Sequence, residues 1–487
     1  MTPEIPNAQP SGLSTQHSEF TCRFSPLLTL LSGLVLFGCL IFLIELHLSV
    51  PPVDRVVSPE RALPLMVGRT MELEEALADA PALERWLYAM TADTGADERA
   101  HAIAWYEELA RSSDQPVVQL QLAVLVAEAG QQDRVRRMNH EWMHRADPFP
   151  SYRRLIHAAY VEPQLDVIDE RALQAELAEA VPAGWFYDRL AIHLAERAGD
   201  TALLTASRLS LATRAAQILW RIRILTIVEF VLIFVGLISV AMLMARRQGS
   251  ACFAIGKAPL PPPWRGRVGA VVLLRGGAAG VLITIAFLFL DVESPWLRLS
   301  AMPMATIPLL LMAQRHLFGP AGLDMSTGLG LLPAVRSGWL RLALAVMALL
   351  AAGLLGEWGL GVLADRLDLS SHWTEWFDAD LVWGSGMVLI GSLLEFVVFA
   401  PIFEEIVFRG LLFGTLRRKY GWNGSAICSA ALFASAHGYG ALGFFSVFWS
   451  GMLWAWMYEK TGSLLPGICA HALNNLLVCV TIMWLLR

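Results

Sequence analysis

The sequence predicts an all-α protein, a polytopic bundle of about nine transmembrane helices with a helical extramembrane domain inserted after the first span. Three observations lead there. The chain is 55% hydrophobic and only 16% charged, against roughly 45–50% and about 25% for soluble globular chains. Its mean hydropathy is +0.51. Its apolar residues gather into runs long enough to cross a bilayer core of about 30 Å, which takes roughly 20 residues of helix. This composition argues against a wholly soluble or disordered chain. Lys+Arg 37 against Asp+Glu 43 leaves a net charge of −6, so no basic surplus exists to meet nucleic-acid phosphates. The six cysteines form no CxxC pair and spell neither a zinc ribbon nor a disulfide framework.

The elements follow in order. Residues 1–24 are an N-terminal tail. Residues 25–49 are a transmembrane anchor, too long for a cleavable signal and lacking a small-x-small cleavage site. Residues 51–218 read as a helical extramembrane domain. Val118, Leu122 and Leu125 form one apolar stripe, and Ile103, Tyr106 and Leu109 another, both at helical spacing. Pro116, Gly130, Pro148, Pro182 and Gly199 punctuate the segment. Ala127-Glu128-Ala129-Gly130 and Ala195-Glu196-Arg197-Ala198-Gly199 look like two versions of one helix end. Their spacing is close to twice a helical-hairpin period of about 34 residues. The domain is therefore either a tetratricopeptide-like stack or an irregular helical unit, and either can hold a protein partner or a substrate.

Residues 221–386 hold transmembrane helices at about 221–244, 268–290, 297–313 and 339–364. The last block, 387–487, carries spans at about 384–415, 422–438, 441–458 and 464–486. Lys/Arg asymmetry sets the orientation. Arg246, Arg247, Arg265, Arg267, Arg275, Arg315, Arg336, Arg341, Arg417, Arg418 and Lys419 mark the inner side. Asp291, Glu293, Asp365, Asp368, Glu375, Asp378 and Asp380 mark the outer one. This places 51–218 outside, as expected of a bacterial plasma-membrane protein. Arg221 and Arg223 conflict with it unless the second span is one helix running out of the external domain.

One motif in that domain invites zinc chemistry. His140-Glu141-Trp142-Met143-His144 is an HExxH, which on a helix sets two imidazoles on one face beside a general base. Arg136, Arg137 and Arg145 crowd it, Pro148 breaks the helix within a turn, and no third ligand stands out. A surface helix carrying two histidines is the better reading.

The chemistry concentrates in 388–480. Ionisable side chains inside apolar helices are costly and mark function. Glu395, Glu404, Glu405 and Arg409 lie in the sixth span, His437 in the seventh, and His471 and Asn475 in the ninth. Glu229, Glu357 and Glu395 lack partners in the pattern. At about 1.5 Å per residue, Glu404 stands roughly 18 Å from the inner loops, His437 about 22 Å, His471 about 16 Å and Asn475 about 22 Å. Four polar groups from three helices thus reach a similar membrane level. Glu405 and Arg409 are i,i+4 and can neutralise each other, leaving Glu404 to face a cavity. His471 and Asn475 share a helix face. A carboxylate with an imidazole can take a proton from water. An imidazole with a carboxamide can donate to an oxyanion. The set suits hydrolysis of an amide within the bilayer.

These residues resemble the CAAX-protease and bacteriocin-processing (CPBP) family of intramembrane proteases, which includes the Ras-converting CAAX endopeptidases. Glu404-Glu405-Ile406-Val407-Phe408-Arg409 matches its EExxxR motif, Phe433-Ala434-Ser435-Ala436-His437 its FxxxH motif, and His471-Ala472-Leu473-Asn474-Asn475 its HxxxN motif. Thr461-Gly462-Ser463-Leu464 also fits. The resemblance covers some 90–100 residues and implies a protease core at 387–487. It implies Glu404 and His437 as activators of the attacking water, His471 and Asn475 as the oxyanion-stabilising pair, and Glu405 and Arg409 as supporting groups. It leaves a divalent metal such as zinc open. Asn475 is a poor zinc ligand, and we read the set as a metal-free glutamate mechanism. The substrate class implied is a membrane protein or a lipidated peptide. A non-proteolytic membrane scaffold or immunity protein on the same fold is the alternative.

Overall fold

The first helix, α1 (Pro26–Ser49), begins where the Ser25 hydroxyl accepts from the Leu28 N–H and Pro26 takes the first helical position. The computed structural model describes residues 24–91, 98–162, 167–245, 253–290, 295–334, 338–367 and 369–487. The tail 1–23, Cys22, Cys252, and the orientation markers Arg246, Arg247, Asp291, Glu293, Arg336 and Asp368 lie outside the described residues. Most large side chains of α1 are exposed, as a lipid-facing anchor requires.

The segment expected outside the membrane folds as α2 (Pro59–Ala78), α3 (Ala82–Thr91), α4 (Glu98–Ser112), α5 (Pro116–Glu128), α6 (Gln132–Glu141), α7 (Phe149–Ile156), α8 (Val167–Ala180) and α9 (Trp185–Ala198). Prolines open α2 and α5. Helix α5 is apolar nearly all round and is buried from Leu120 to Ala127, which makes it the central rod. Tyr106, Leu125, Trp142, Leu155 and Leu190 pack in the same core. The two helix ends that look alike in sequence behave alike: Gly130 after α5 (φ 73°) and Gly199 after α9 (φ 71°) take the left-handed conformation that stops a helix.

The HExxH motif does not form one helix face. Helix α6 ends at Glu141, residues Trp142–His144 tighten into a 3₁₀ turn, and His140, Glu141 and His144 are exposed.

Helix α10 (Thr201–Ala245) is one continuous rod of 45 residues. Its first part packs with α2 and α9, where Arg214 bonds Glu72 and, at 2.6 Å, Asp188. The helix is long and apolar enough to cross a membrane. Arg221 and Arg223, at odds with the charge pattern, sit at the change-over. Arg221 donates to the Trp484 carbonyl (2.8 Å), and Arg223 pairs with Glu84 of α3. Both charges are therefore held by protein groups at the boundary.

The remaining helices are α11 (Gly266–Phe289), α12 (Pro295–Ala313), the short α13 (Met325–Leu329), α14 (Gly338–Leu367), the short α15 (Ala379–Trp383), α16 (Met387–Leu394), α17 (Ala400–Glu404), α18 (Gly414–Ala436), α19 (Ala441–Thr461) and α20 (Leu465–Leu486). Among the described residues there is no strand. Among the described residues, seven helices are long and apolar enough to cross a membrane, counting the run from Met387 to Ala436 as one. Two π-helical stretches, Glu395–Phe399 and Glu405–Phe413, splice α16, α17 and α18 into that run, and Gly421 (φ 65°, ψ −175°) breaks it. The sequence reading divides it there into two spans. The part after Gly421 is about 22 Å long at 1.5 Å per residue, too short for a full crossing.

Two joints fix the site-bearing helices. At one end of the bundle, Thr461-Gly462-Ser463-Leu464 is a backbone knot. The Ile255 and Ala258 N–H groups donate to the Thr461 and Gly462 carbonyls, and the Ser463 hydroxyl donates to the Gly330 carbonyl at 2.6 Å. It sets where α20 starts. At the other end, Trp373, Phe377, Val382 and Leu486 join the core of the external domain.

Glu128 is the polar hub of that domain. Burial pushes its carboxyl up, but donors from His193 (3.0 Å), Arg189 and Tyr160 (2.7 Å) outweigh burial and hold it at about 2. A group depressed below its ordinary 4.5 contributes stability that is complete above that pH and lost as pH falls from there through about 2. Glu128→Gln is expected to flatten the pH dependence of the domain's thermal midpoint between those limits, measured by limited proteolysis along a temperature ramp.

Candidate active site

A carboxylate and a guanidinium in an apolar bundle need each other. Glu405 and Arg409 are both fully buried, and Arg409 Nη1 donates to Glu405 Oε1 at 2.8 Å. Arg409 Nε and Nη2 have no hydrogen-bond acceptor among the described residues. The guanidinium lies instead over the Phe433 ring at 4.2 Å and near the Trp454 ring at 5.0 Å, so two π-faces take the side the carboxylate leaves open. Such closeness needs small neighbours. A Cβ on Gly451 would come within 2.8 Å of Arg409 Nη2, and one on Gly467 within 3.1 Å of Glu405 Oε2.

His471, on α20, meets both glutamates. Its Nδ1 is 3.3 Å from Glu405 Oε1 and its Nε2 is 3.7 Å from Glu404 Oε2. The Trp454 ring stacks on the imidazole at 4.1 Å and 19°, and His471 is only 3% exposed. Glu404, next to the buried Glu405, keeps a side chain 23% exposed. The two adjacent carboxylates thus have different surroundings, one locked in protein and one facing open space.

His437 is expected inside an apolar span. It instead caps the C-terminus of α18 and is followed by Gly438 in the left-handed conformation. Its Nδ1 donates to the Phe433 carbonyl at 2.8 Å, which leaves Nε2 bare as an acceptor. The FxxxH spacing acquires a physical sense: Phe433 supplies a carbonyl to His437 and a ring to Arg409. His437 forms no ion pair with a carboxylate among the described residues, and so is not joined directly to Glu404. Asn475 points its amide to the Phe396 carbonyl at 2.9 Å. Each π-helical stretch has a carbonyl taken up by a neighbouring side chain, since Ser429 likewise donates to the Phe408 carbonyl at 2.7 Å.

Glu404, Glu405, Arg409 and His471 therefore form one contact cluster, with His437 and Asn475 attached through the backbone around it. Trp454, Gly451 and Gly467 are absent from the sequence reading. A tryptophan or glycine in a membrane helix has too many ordinary uses to stand out. The other glutamates of the apolar helices lie apart from this cluster. Glu229 accepts from Trp358 (3.3 Å) and Glu357 from Ser446 (3.3 Å), while Glu395 opens a π-helical stretch. Among the described residues no three His, Cys, Asp or Glu side chains are arranged to hold a metal ion. As placed among the described residues, this donor set does not fit zinc.

Residues 386–477 match the family model described as Rce1-like, type II CAAX prenyl endopeptidase. No curated protein and no solved structure matches the chain.

Removing one member of a buried pair strands the other, at about 3–5 kcal/mol. Arg409→Leu is expected to lower the thermal midpoint in detergent sharply, and the double variant Arg409→Leu/Glu405→Leu to recover most of that loss. Additive losses in a double-mutant cycle would contradict the pairing.

Proposed function

Because residues 386–477 are an Rce1-like domain in an integral membrane protein, we propose that the chain is an intramembrane endopeptidase that hydrolyses a peptide bond of a membrane-associated protein or lipidated peptide. The observation that carries this is the buried imidazole of His471 held between Glu405 at 3.3 Å and Glu404 at 3.7 Å.

The proposed chemistry follows from charge and geometry. In the reaction we propose, His471 carries a proton that offsets the one carboxylate charge Arg409 leaves over. An imidazolium there has one N–H for Glu405 and another on Nε2, the nitrogen on the Glu404 side. In the proposed reaction a water is held between Glu404 and the bare Nε2 of His437. Glu404 takes its proton as the oxygen attacks the scissile carbonyl carbon. The resulting oxyanion accepts from His471 Nε2–H and from the second amide hydrogen of Asn475, the first being engaged by Phe396. Glu404 then passes its proton to the leaving amine as the C–N bond breaks. Glu405 and Arg409 hold His471 in place and in charge. No metal enters any step.

On the Lys/Arg asymmetry, we place the external domain outside the membrane, in a bacterial plasma membrane, where it can recruit substrates. A scaffold or immunity protein on the same fold is the competing reading.

The deciding experiment compares peptide termini of membrane proteins in cells carrying the wild-type chain, Glu404→Ala or His471→Ala. New termini within or beside membrane segments should be present with the wild type and absent with both variants. Removing an oxyanion donor costs about 10²–10³ in rate. Equal termini and full biological function in all three strains would favour the scaffold.

A further inference from the structure

The segment between α14 and α15 passes from the external domain to the turn that follows His437. Its Trp373 is 2% exposed within the core of the external domain. One residue earlier, His372 Nε2 is 3.1 Å from Glu108 Oε2 on α4, and the Trp105 ring meets the imidazole edge-on. Glu108 is fixed in turn, since its Oε1 accepts from the Val53 N–H at 3.4 Å. Two residues beyond Trp373, Glu375 reaches the membrane domain, where its Oε1 accepts from the Gly440 N–H at 3.1 Å.

Gly440 is the N-cap of α19 and has no side chain to cap that helix. Glu375 supplies the anion from another segment, where N–H groups and the helix dipole favour negative charge. The seat fits both carboxylate oxygens. A Cβ on Gly440 would lie 3.0 Å from Glu375 Oε1, and one on Gly443 2.6 Å from Oε2. Gly440 stands three residues after His437, and the intervening turn carries only Gly438 and Tyr439.

We propose that Glu375 is a positioning residue for His437, and that the 372–375 strap transmits the placement of the external domain to the active-site turn. This rests on the protease reading, with His437 as a water-orienting group. The strap joins its two ends over four residues, through a clamped imidazole, a buried indole and a carboxylate. Loosening the clamp at Glu108 frees the strap, and freeing Glu375 lets the turn after His437 open. Occupation of the external domain by a substrate can act through the same path.

The test uses the full chain in lipid nanodiscs. Amide hydrogen exchange over 437–445 is measured alongside Glu404-dependent termini in cells. Glu375→Ala should speed exchange at Gly440 and the first turn of α19 by about tenfold, the worth of a hydrogen bond to a charged group. It should cut cleavage by about ten- to a hundredfold through misplacement of His437. Glu375→Gln keeps an acceptor for the Gly440 N–H and should restore both to within about threefold of wild type. Glu108→Ala, far from the site, should speed exchange at 372–376 and also at 440–444. Unchanged exchange at 440–444 in Glu375→Ala overturns the positioning role. Faster exchange at 372–376 alone in Glu108→Ala overturns the transmission. Exchange that follows these expectations while Glu404→Ala leaves cleavage intact keeps the strap and removes the protease reading.

Discussion

An ion pair buried in a hydrocarbon environment is the constraint on which the rest depends. Glu405 and Arg409 are fully enclosed, and neither charge is tolerable alone. Their neutralisation explains the close backbone at Gly451 and Gly467, the aromatic pair over the guanidinium, and the placement of His471. It also explains why Glu404, one residue earlier, remains available. With Glu405 paired to Arg409, Glu404 is the carboxylate of the cluster that keeps a partly exposed side chain.

Backbone irregularity does the rest. Two π-helical stretches flank the glutamates, and such turns recur at functional sites because they free carbonyls and re-aim side chains. Here the freed carbonyls are taken by Asn475 and Ser429 on neighbouring helices. The π register is thereby knitted to the helices that carry the other polar groups. The same economy holds at His437, where a helix end sets the ring and its tautomer together.

The helical membrane class was legible from run lengths and charge, and the EExxxR, FxxxH and HxxxN spacings lead to residues that lie in or around one cluster. Other features had no signature. Nothing in Glu395–Phe399 or Glu405–Phe413 announces π geometry, since that register depends on partners far along the chain. Arg221 and Arg223 look misplaced until Trp484 and Glu84 are seen beside them. His437 reads as mid-span because alanines precede it, although Gly438 marks the stop. His140-Glu141-Trp142-Met143-His144 is the reverse case: the letters suggest a site, and the helix ends before the second imidazole can join the first.

The proposed chemistry requires Glu404, His471 and His437 to share one space that admits water. A cryo-EM reconstruction of the wild-type chain in a lipid nanodisc, at a resolution that shows side chains and ordered water, tests it most directly. His471 should stand between the two glutamates, with solvent density bridging Glu404 to the Nε2 of His437. Glu404 turned towards lipid, or His437 separated from it by packed side chains, would contradict it.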